Sequence, residues 1–198
     1  MAGPPVTPSL PPRRSKRRVR NTMLIRDAQL ADVPALARVH VDSWRSTYAG
    51  IMPAQFLADL SYDRSEARFR ELMALPGHIC MLVEDVNDAI VGFASAGPER
   101  SNDPVYRGEL YAIYLLDAYR RRGIGTALLR RIAQQLRSLD FNSKLVWVLL
   151  DNPSRQFYEK LGGVRLRQQP IDIGGAVVQE VAYGWTDLRA LCNEQWRS

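Results

Sequence analysis

Polar and apolar residues change their spacing repeatedly along the chain, and each change predicts an element. Met23 to Asp27 reads as a short strand. Asp32 then stands at a helix cap ahead of Val33, Leu36, Ala37, His40 and Trp44 at helical spacing, with Pro34 tolerated in the first turn. That helix runs to about Tyr48. Pro53 opens a short second helix carrying Phe56, Leu57 and Leu60, and Asp63 with Glu66 makes a capping-box-like start to a third that ends before Pro76. His78 to Val86 and Ala89 to Ala96 are strand-like runs around Asn87-Asp88, a two-residue hairpin signal, which makes the pair antiparallel.

Gly108 to Leu116 is a further apolar and aromatic run, after which Tyr119 to Leu129 passes through a Gly-containing turn into a helix with Ile124, Leu128, Ile132 and Leu136 on one face. Lys144 to Leu150 is near-continuously hydrophobic, as in a strand buried on both faces, and Pro153 starts a helix through Phe157, Tyr158 and Leu161 that stops at Gly162-Gly163. Val164 to Ile173 and Ala176 to Trp185 flank Gly174-Gly175, a second tight hairpin, and Leu188 to Glu194 adds a terminal helical turn or two. This order predicts one α/β (α+β) domain with antiparallel hairpins at both ends and a parallel step in the middle.

Charge changes the picture only at the N-terminus. The chain has 198 residues with 27 Lys+Arg against 21 Asp+Glu. Residues 1–22 hold five prolines and six basic residues with no acid, so the remainder, residues 23–198, balances at 21 basic and 21 acidic side chains. The tail has too little to bury to offset its ordering entropy and is expected to be disordered, with Met23 beginning the domain. No apolar stretch follows its positive charges, which argues against a signal peptide, and no run reaches the roughly 18 residues of a spanning helix. Cys80 and Cys192 stand apart with no Cys-x-x-Cys and no paired histidines at ligand spacing, so no metal and a reducing cytoplasm are expected.

The chemistry concentrates in Arg120-Arg121-Arg122-Gly123-Ile124-Gly125-Thr126, directly after a strand and before a helix. Backbone N–H groups at such a helix start converge on one spot with the positive end of the dipole behind them, and glycines let an anion reach the main chain. Three arginines suit a polyphosphate. No Walker lysine is present, and Leu128 fills the third position of a Gly-x-Gly-x-x-Gly pattern, which disfavours nucleoside triphosphate and Rossmann readings.

In this context the sequence resembles the GNAT superfamily of acyl-CoA-dependent N-acyltransferases, whose pyrophosphate loop reads Gln or Arg, two residues, Gly, one residue, Gly or Ala. Arg120 to Gly125 matches it. Leu110 to Leu116 looks like the family's fourth strand, Asn152 and Ser154 to Gly162 like its segment after the fifth, and Ile25-Arg26-x-Ala28 like its opening, covering Met23 to Trp185. The departures are Asp117, where relatives often have Pro, and Leu150, where close relatives often place a glutamate. The resemblance implies a mostly antiparallel sheet whose central parallel strands splay to admit acetyl-CoA. Backbone groups near Leu115 and Leu116 would pair with it, the 121–126 amides would hold its pyrophosphate, and Arg120, Asn152 and Tyr158 would complete the site.

Direct acetyl transfer to an amine needs an acid for the departing thiolate and a neutral nucleophile. The resemblance makes Tyr158 the acid. For the base the expectation is Glu109, acting through water, ahead of Glu84, Asp103 and His40. Trp44, Tyr48 and Tyr111 are the expected acceptor-binding aromatics, with Tyr106 a further aromatic near them. An amine acceptor and acetyl-CoA are thus the expected partners, with a homodimer left open; the neutral body argues against nucleic acid. Two other readings remain: an acyl-CoA sensor without turnover, which the apolar Leu150 keeps open, and a nucleic-acid-binding module that uses the basic tail.

Overall fold

The computed structural model describes residues 22–192. The basic tail therefore lies, apart from Thr22, outside the described residues, as does the end of the terminal helical stretch. Strands β1 (Leu24–Asp27), β2 (Ile79–Glu84), β3 (Ile90–Pro98), β4 (Gly108–Leu115), β5 (Lys144–Leu149), β6 (Val164–Ile173) and β7 (Ala176–Trp185) form one sheet in the order β1-β2-β3-β4-β5-β7-β6. Every pairing is antiparallel except β4 with β5. The helices are α1 (Val33–Thr47), α2 (Ala54–Ala58), α3 (Tyr62–Met73), α4 (Ile124–Ser138), α5 (Arg155–Lys160) and the single turn α6 (Arg189–Cys192).

The two faces of the sheet are covered by different helices. On one, Val33, Leu36, Ala37 and Val39 of α1 with Phe69 of α3 pack on Cys80, Leu82 and Phe93. On the other, Ile124, Leu128, Ile132 and Leu136 of α4 are all buried against Met81, Val83, Ala94, Leu110 and Val146, as their helical spacing predicts. Burial of these α4 side chains contributes roughly 1.5–3 kcal/mol each relative to exposure.

Three local expectations are corrected. Asp32 does not cap α1 through its side chain; its carboxylate accepts from Arg26 and from the Gln29 N–H, and a 3-10 turn over Leu30–Asp32 leads into the helix. The cap of α3 is Ser61, whose hydroxyl accepts from the Arg64 N–H, two residues before the expected Asp63. The β2–β3 connection is wider than two residues: the Asp85 carboxylate accepts from the N–H groups of Asn87 and Ala89 and organises the turn. By contrast β6 and β7 have the expected ends, and Gly174 and Gly175 at their tip both have positive φ. A Cβ on Gly174 would strike the Phe56 ring at 2.0 Å, so the bare tip is what lets α2 close against the β6–β7 hairpin.

Candidate active site

β4 and β5 are bonded through Gly108–Lys144, Glu109–Leu145 and Leu110–Val146, where their pairing ends although both strands continue. The separation coincides with a β-bulge. Ser95 of β3 pairs with Ala112 and Ala96 pairs with Leu110, leaving Tyr111 as the extra residue. Beyond it the strands diverge around a cleft of about 810 Å³.

Alternate strand residues direct their N–H and C=O groups to opposite neighbours. Leu116 donates its N–H to Val91 O of β3 at 2.9 Å, so Ile113 and Leu115 turn theirs to the open side. Leu115 lines the cleft and Leu116 does not. The Leu115 carbonyl accepts from Arg120 Nε at 3.2 Å, and the Arg120 guanidinium also reaches Thr47 Oγ1 at 2.7 Å and Asp117 at 2.9 Å. Arg120 therefore braces the mouth of the seam against α1.

The loop closing this end of the cleft has the geometry of an anion cradle. Gly123, at φ 79°, is the residue before α4 and has no side-chain cap, so the first amides of a 15-residue helix lack internal partners. Arg121 is also held at positive φ, a conformation costly for a side chain with a Cβ. Gly125 differs from Gly123: a Cβ there would meet the Phe157 ring at an ordinary 3.5 Å. Protein packing leaves room for a Cβ at position 125, and that space is what an approaching phosphate requires. Arg121, Gly123, Gly125 and Thr126 line the cleft, whereas Ile124 is buried in the core beneath it and Arg122 lies over the Tyr119 ring.

Tyr158, on α5, is buried and lines the cleft across from this loop, against Phe157, Tyr183 and Trp185. Among the described residues no hydrogen bond engages its hydroxyl, and burial together with the neighbouring Tyr48 raises its pKa, so it stays protonated through neutral pH. Asn152 donates from Nδ2 to Tyr48 Oη at 3.1 Å and accepts the Ser154 N–H at 2.8 Å, tying the start of the α5 segment to α1. Tyr114 packs beside Tyr48, and Trp44 packs on Tyr48 with ring centroids 4.5 Å apart. Trp44, Tyr48 and Tyr111 all line the cleft; Tyr111 donates its hydroxyl to Pro98 O at 2.6 Å. Tyr106 is buried outside it, against Gly184.

Glu109 is not brought to the cleft. It is 2% exposed, and its carboxylate accepts from the backbone N–H, Nε and Nη2 of Arg100. With three of its roughly four acceptor sites taken by Arg100 and no part of it in the cleft lining, its geometry is that of a brace. Asp103 is similarly engaged by Arg167 and two backbone amides, and Glu84 by Arg26. His40 sits among the rings of Trp44, Phe69, Phe93 and Tyr114 with Nδ1 3.0 Å from Ser65 Oγ, and burial pushes its pKa down to about 4. It is a half-buried residue, neutral at pH 7, that lines a separate small cavity. The carboxylate that does line the cleft is Glu180 on β7, which sequence reasoning missed. Its only sequence signal is one acid at the edge of a buried run; its position follows from the Leu149–Glu180 register, 31 residues apart in sequence.

Among the described residues, no group of three or more His, Cys, Asp and Glu is placed to hold a metal ion, and no helix is long and apolar enough to cross a membrane.

The profile of the acetyltransferase (GNAT) family matches residues 41–163, from the middle of α1 to the end of the α5 segment. The chain belongs to that family. It is 42% identical over 167 residues to the uncharacterized N-acetyltransferase YuaI of Bacillus subtilis, an alignment covering 84% of this chain and 95% of the relative. In fold it is similar to a putative acetyltransferase, yncA, from Salmonella typhimurium, solved with acetyl-CoA (TM-score 0.64, 22% identity, 85% of this chain and 95% of that one). It is also similar to PaiA N-acetyltransferase from Thermoplasma acidophilum, solved with coenzyme A (TM-score 0.62, 20% identity, 80% and 98%). The GNAT domain expected from the sequence, with its parallel strand pair inside a mostly antiparallel sheet, is the domain observed.

Proposed function

We propose that the protein transfers the acetyl group of acetyl-CoA directly to a primary amine. The observation that carries this reading is the opened β4–β5 seam, which ends at the uncapped start of α4, with Tyr158 lining the same cleft. The amides of Ile113 and Leu115 then pair with the pantetheine arm, and the 123–126 amides with the pyrophosphate, helped by the space at Gly125 and the charge of Arg121. This assigns the strand contacts to Ile113 and Leu115 in place of Leu115 and Leu116, whose N–H is already spent on Val91.

In the transfer, the amine nitrogen bonds to the thioester carbon, the C–S bond breaks, and sulfur leaves with the bonding pair. The amine's proton passes to solvent. Tyr158 donates a hydrogen bond to the thiolate as charge develops; its raised pKa, above an ordinary thiol near 8.5, makes it a persistent donor and a weak proton source. Two free cysteines, one buried and one partly so, accord with a reducing cytoplasm. The test is a thermal-shift titration with acetyl-CoA followed by thiol release across a panel of amines. A raised melting temperature and amine-dependent release are expected. An unchanged melting temperature at saturating acetyl-CoA would overturn the reading, and binding without release on any amine would identify an acyl-CoA sensor instead.

A further inference from the structure

The cleft is electrically polar along its length. Arg120, Arg121 and Lys160 stand among the lining residues at the α4–α5 end, and Glu180 is the one acidic residue of the lining among those described. Glu180 lies on β7 directly opposite Leu149 of β5 and Gln169 of β6. Residues paired in this way share a sheet face, and Leu149 packs with Tyr48, Met52 and Leu57 on the α1–α2 side. Glu180 therefore opens on the side away from α4 and α5. It is 8% exposed, and its carboxylate accepts one hydrogen bond, from Gln169 Nε2 at 2.8 Å, with no salt bridge among the described residues. The guanidinium groups on that side are already engaged, Arg100 by Glu109 and Arg167 by Asp103, and Arg100 acts on Glu180 only electrostatically, without a salt bridge. Trp44, Tyr48, Tyr111, Trp147 and Ile173 supply the remaining walls.

Building on the acetyltransferase reading above, we propose that Glu180 is the acceptor-binding residue and receives the ammonium group of the incoming substrate, which releases one proton to solvent before the neutral nitrogen attacks the thioester. It thereby selects primary amines with an apolar or aromatic body and no carboxylate beside the amino group. The physical argument is one of complementarity. A nearly buried carboxylate with no salt bridge of its own, its neighbouring Arg100 being spent on Glu109, is costly until a cation reaches it, and an aromatic enclosure suits a cation on an apolar body. An acceptor carrying its own carboxylate would meet Glu180 with like charge and find each nearby guanidinium already paired. The donor's phosphates and the acceptor's ammonium are thus drawn to opposite ends of one cleft.

Phenylethylamine and phenylalanine are suitable probes because they differ only in the α-carboxylate. Each is titrated calorimetrically into the full-length chain saturated with CoA, whose own binding is measured first. Phenylethylamine is expected to bind about tenfold or more tightly than phenylalanine, and Glu180→Gln to weaken phenylethylamine by about tenfold or more, the scale of one hydrogen bond to a charged group. The same substitution is expected to bring the two probes close together and to leave the dissociation constant of acetyl-CoA unchanged. Turnover, where measured, should show the loss in KM with kcat nearly retained. Equal binding of both probes, no binding of phenylethylamine, or wild-type affinity in Glu180→Gln would overturn the proposal. Should Glu180→Gln prove unstable, the discrimination between the two probes by the unaltered protein decides alone. Failure of CoA to bind in the first titration would instead strike the acetyltransferase reading.

Discussion

One strand, β5, shows two different edges. Toward β7 it is paired from Lys144 through Leu149, the full length of the strand; toward β4 it is paired only from Lys144 through Val146. The residues are the same, so intrinsic strand propensity cannot account for the difference. The bulge at Tyr111 and the bracing of Leu115 O by Arg120 turn β4 aside and leave main-chain groups of Ile113 and Leu115 without a strand partner. A fold leaves backbone polar groups unpaired at a cost, and a cleft that offers them to a ligand is where such a cost is offset. The closed edge keeps β5 in the core, and the open edge is the one the proposed function gives to acetyl-CoA.

The largest expected effect comes from filling the open edge. Gly125→Asp places a carboxylate at the start of α4, where the proposed function puts the phosphates, while its Cβ meets Phe157 at an ordinary 3.5 Å. Affinity for acetyl-CoA should fall about a hundredfold or more, with the melting temperature of the ligand-free protein unchanged or slightly higher because an acid suits a helix N-terminus. A parallel fall in melting temperature and affinity would show that position 125 serves packing. Next, Tyr158→Phe should lower kcat by about ten- to a thousandfold with little change in the dissociation constant of acetyl-CoA, since the hydroxyl acts mainly as thiolate charge develops. Unaltered turnover on a true substrate would leave the ring as its whole contribution.

Glu109→Gln should act through stability: losing a charge-assisted pair with Arg100 costs about 1–3 kcal/mol, read by denaturant unfolding. Its activity deficit should be constant with pH, because no general base has been removed; a deficit that disappears as pH rises would restore Glu109 to the chemistry.

The closed end carries the smallest and most pH-dependent effect. Lys144 is 0% exposed, its Nζ has no hydrogen-bond partner among the described residues, and the Trp185 ring face lies 3.3 Å away. Burial pushes its pKa well below the usual lysine value. Above about pH 10.4 both folded and unfolded chains hold this amine neutral; as pH falls below that, the unfolded chain takes up a proton that the folded chain refuses, and stability is lost. Lys144→Met should therefore match wild type in melting temperature near pH 11 and exceed it progressively toward pH 7. A constant difference across that range would mean that Lys144 is charged in the fold.

The same contrast separates what the sequence makes legible from what it hides. The α4 face of Ile124, Leu128, Ile132 and Leu136 and the ends of β6 and β7 are written in local spacing and in Gly174-Gly175, and the anion loop in its glycines. The bulge is not, because Tyr111 differs from its neighbours only in how β3 pairs with it; without the bulge, alternation counted forward from Gly108 is misjudged by one residue beyond Tyr111. Glu109 reads as an exposed strand-end acid until Arg100 closes over it, and Glu180 becomes a site residue only through its register with Leu149. Ser61 caps α3 in place of Asp63 because a serine directly before the helix can reach the Arg64 N–H.

Amide hydrogen exchange with and without acetyl-CoA tests the open edge directly. The account predicts that saturating acetyl-CoA slows exchange at Ile113, Leu115 and residues 123–126, while the β5–β7 ladder from Lys144 to Leu149, already paired, changes little. Binding that protects other amides and leaves Ile113, Leu115 and the start of α4 exchanging as before would contradict it.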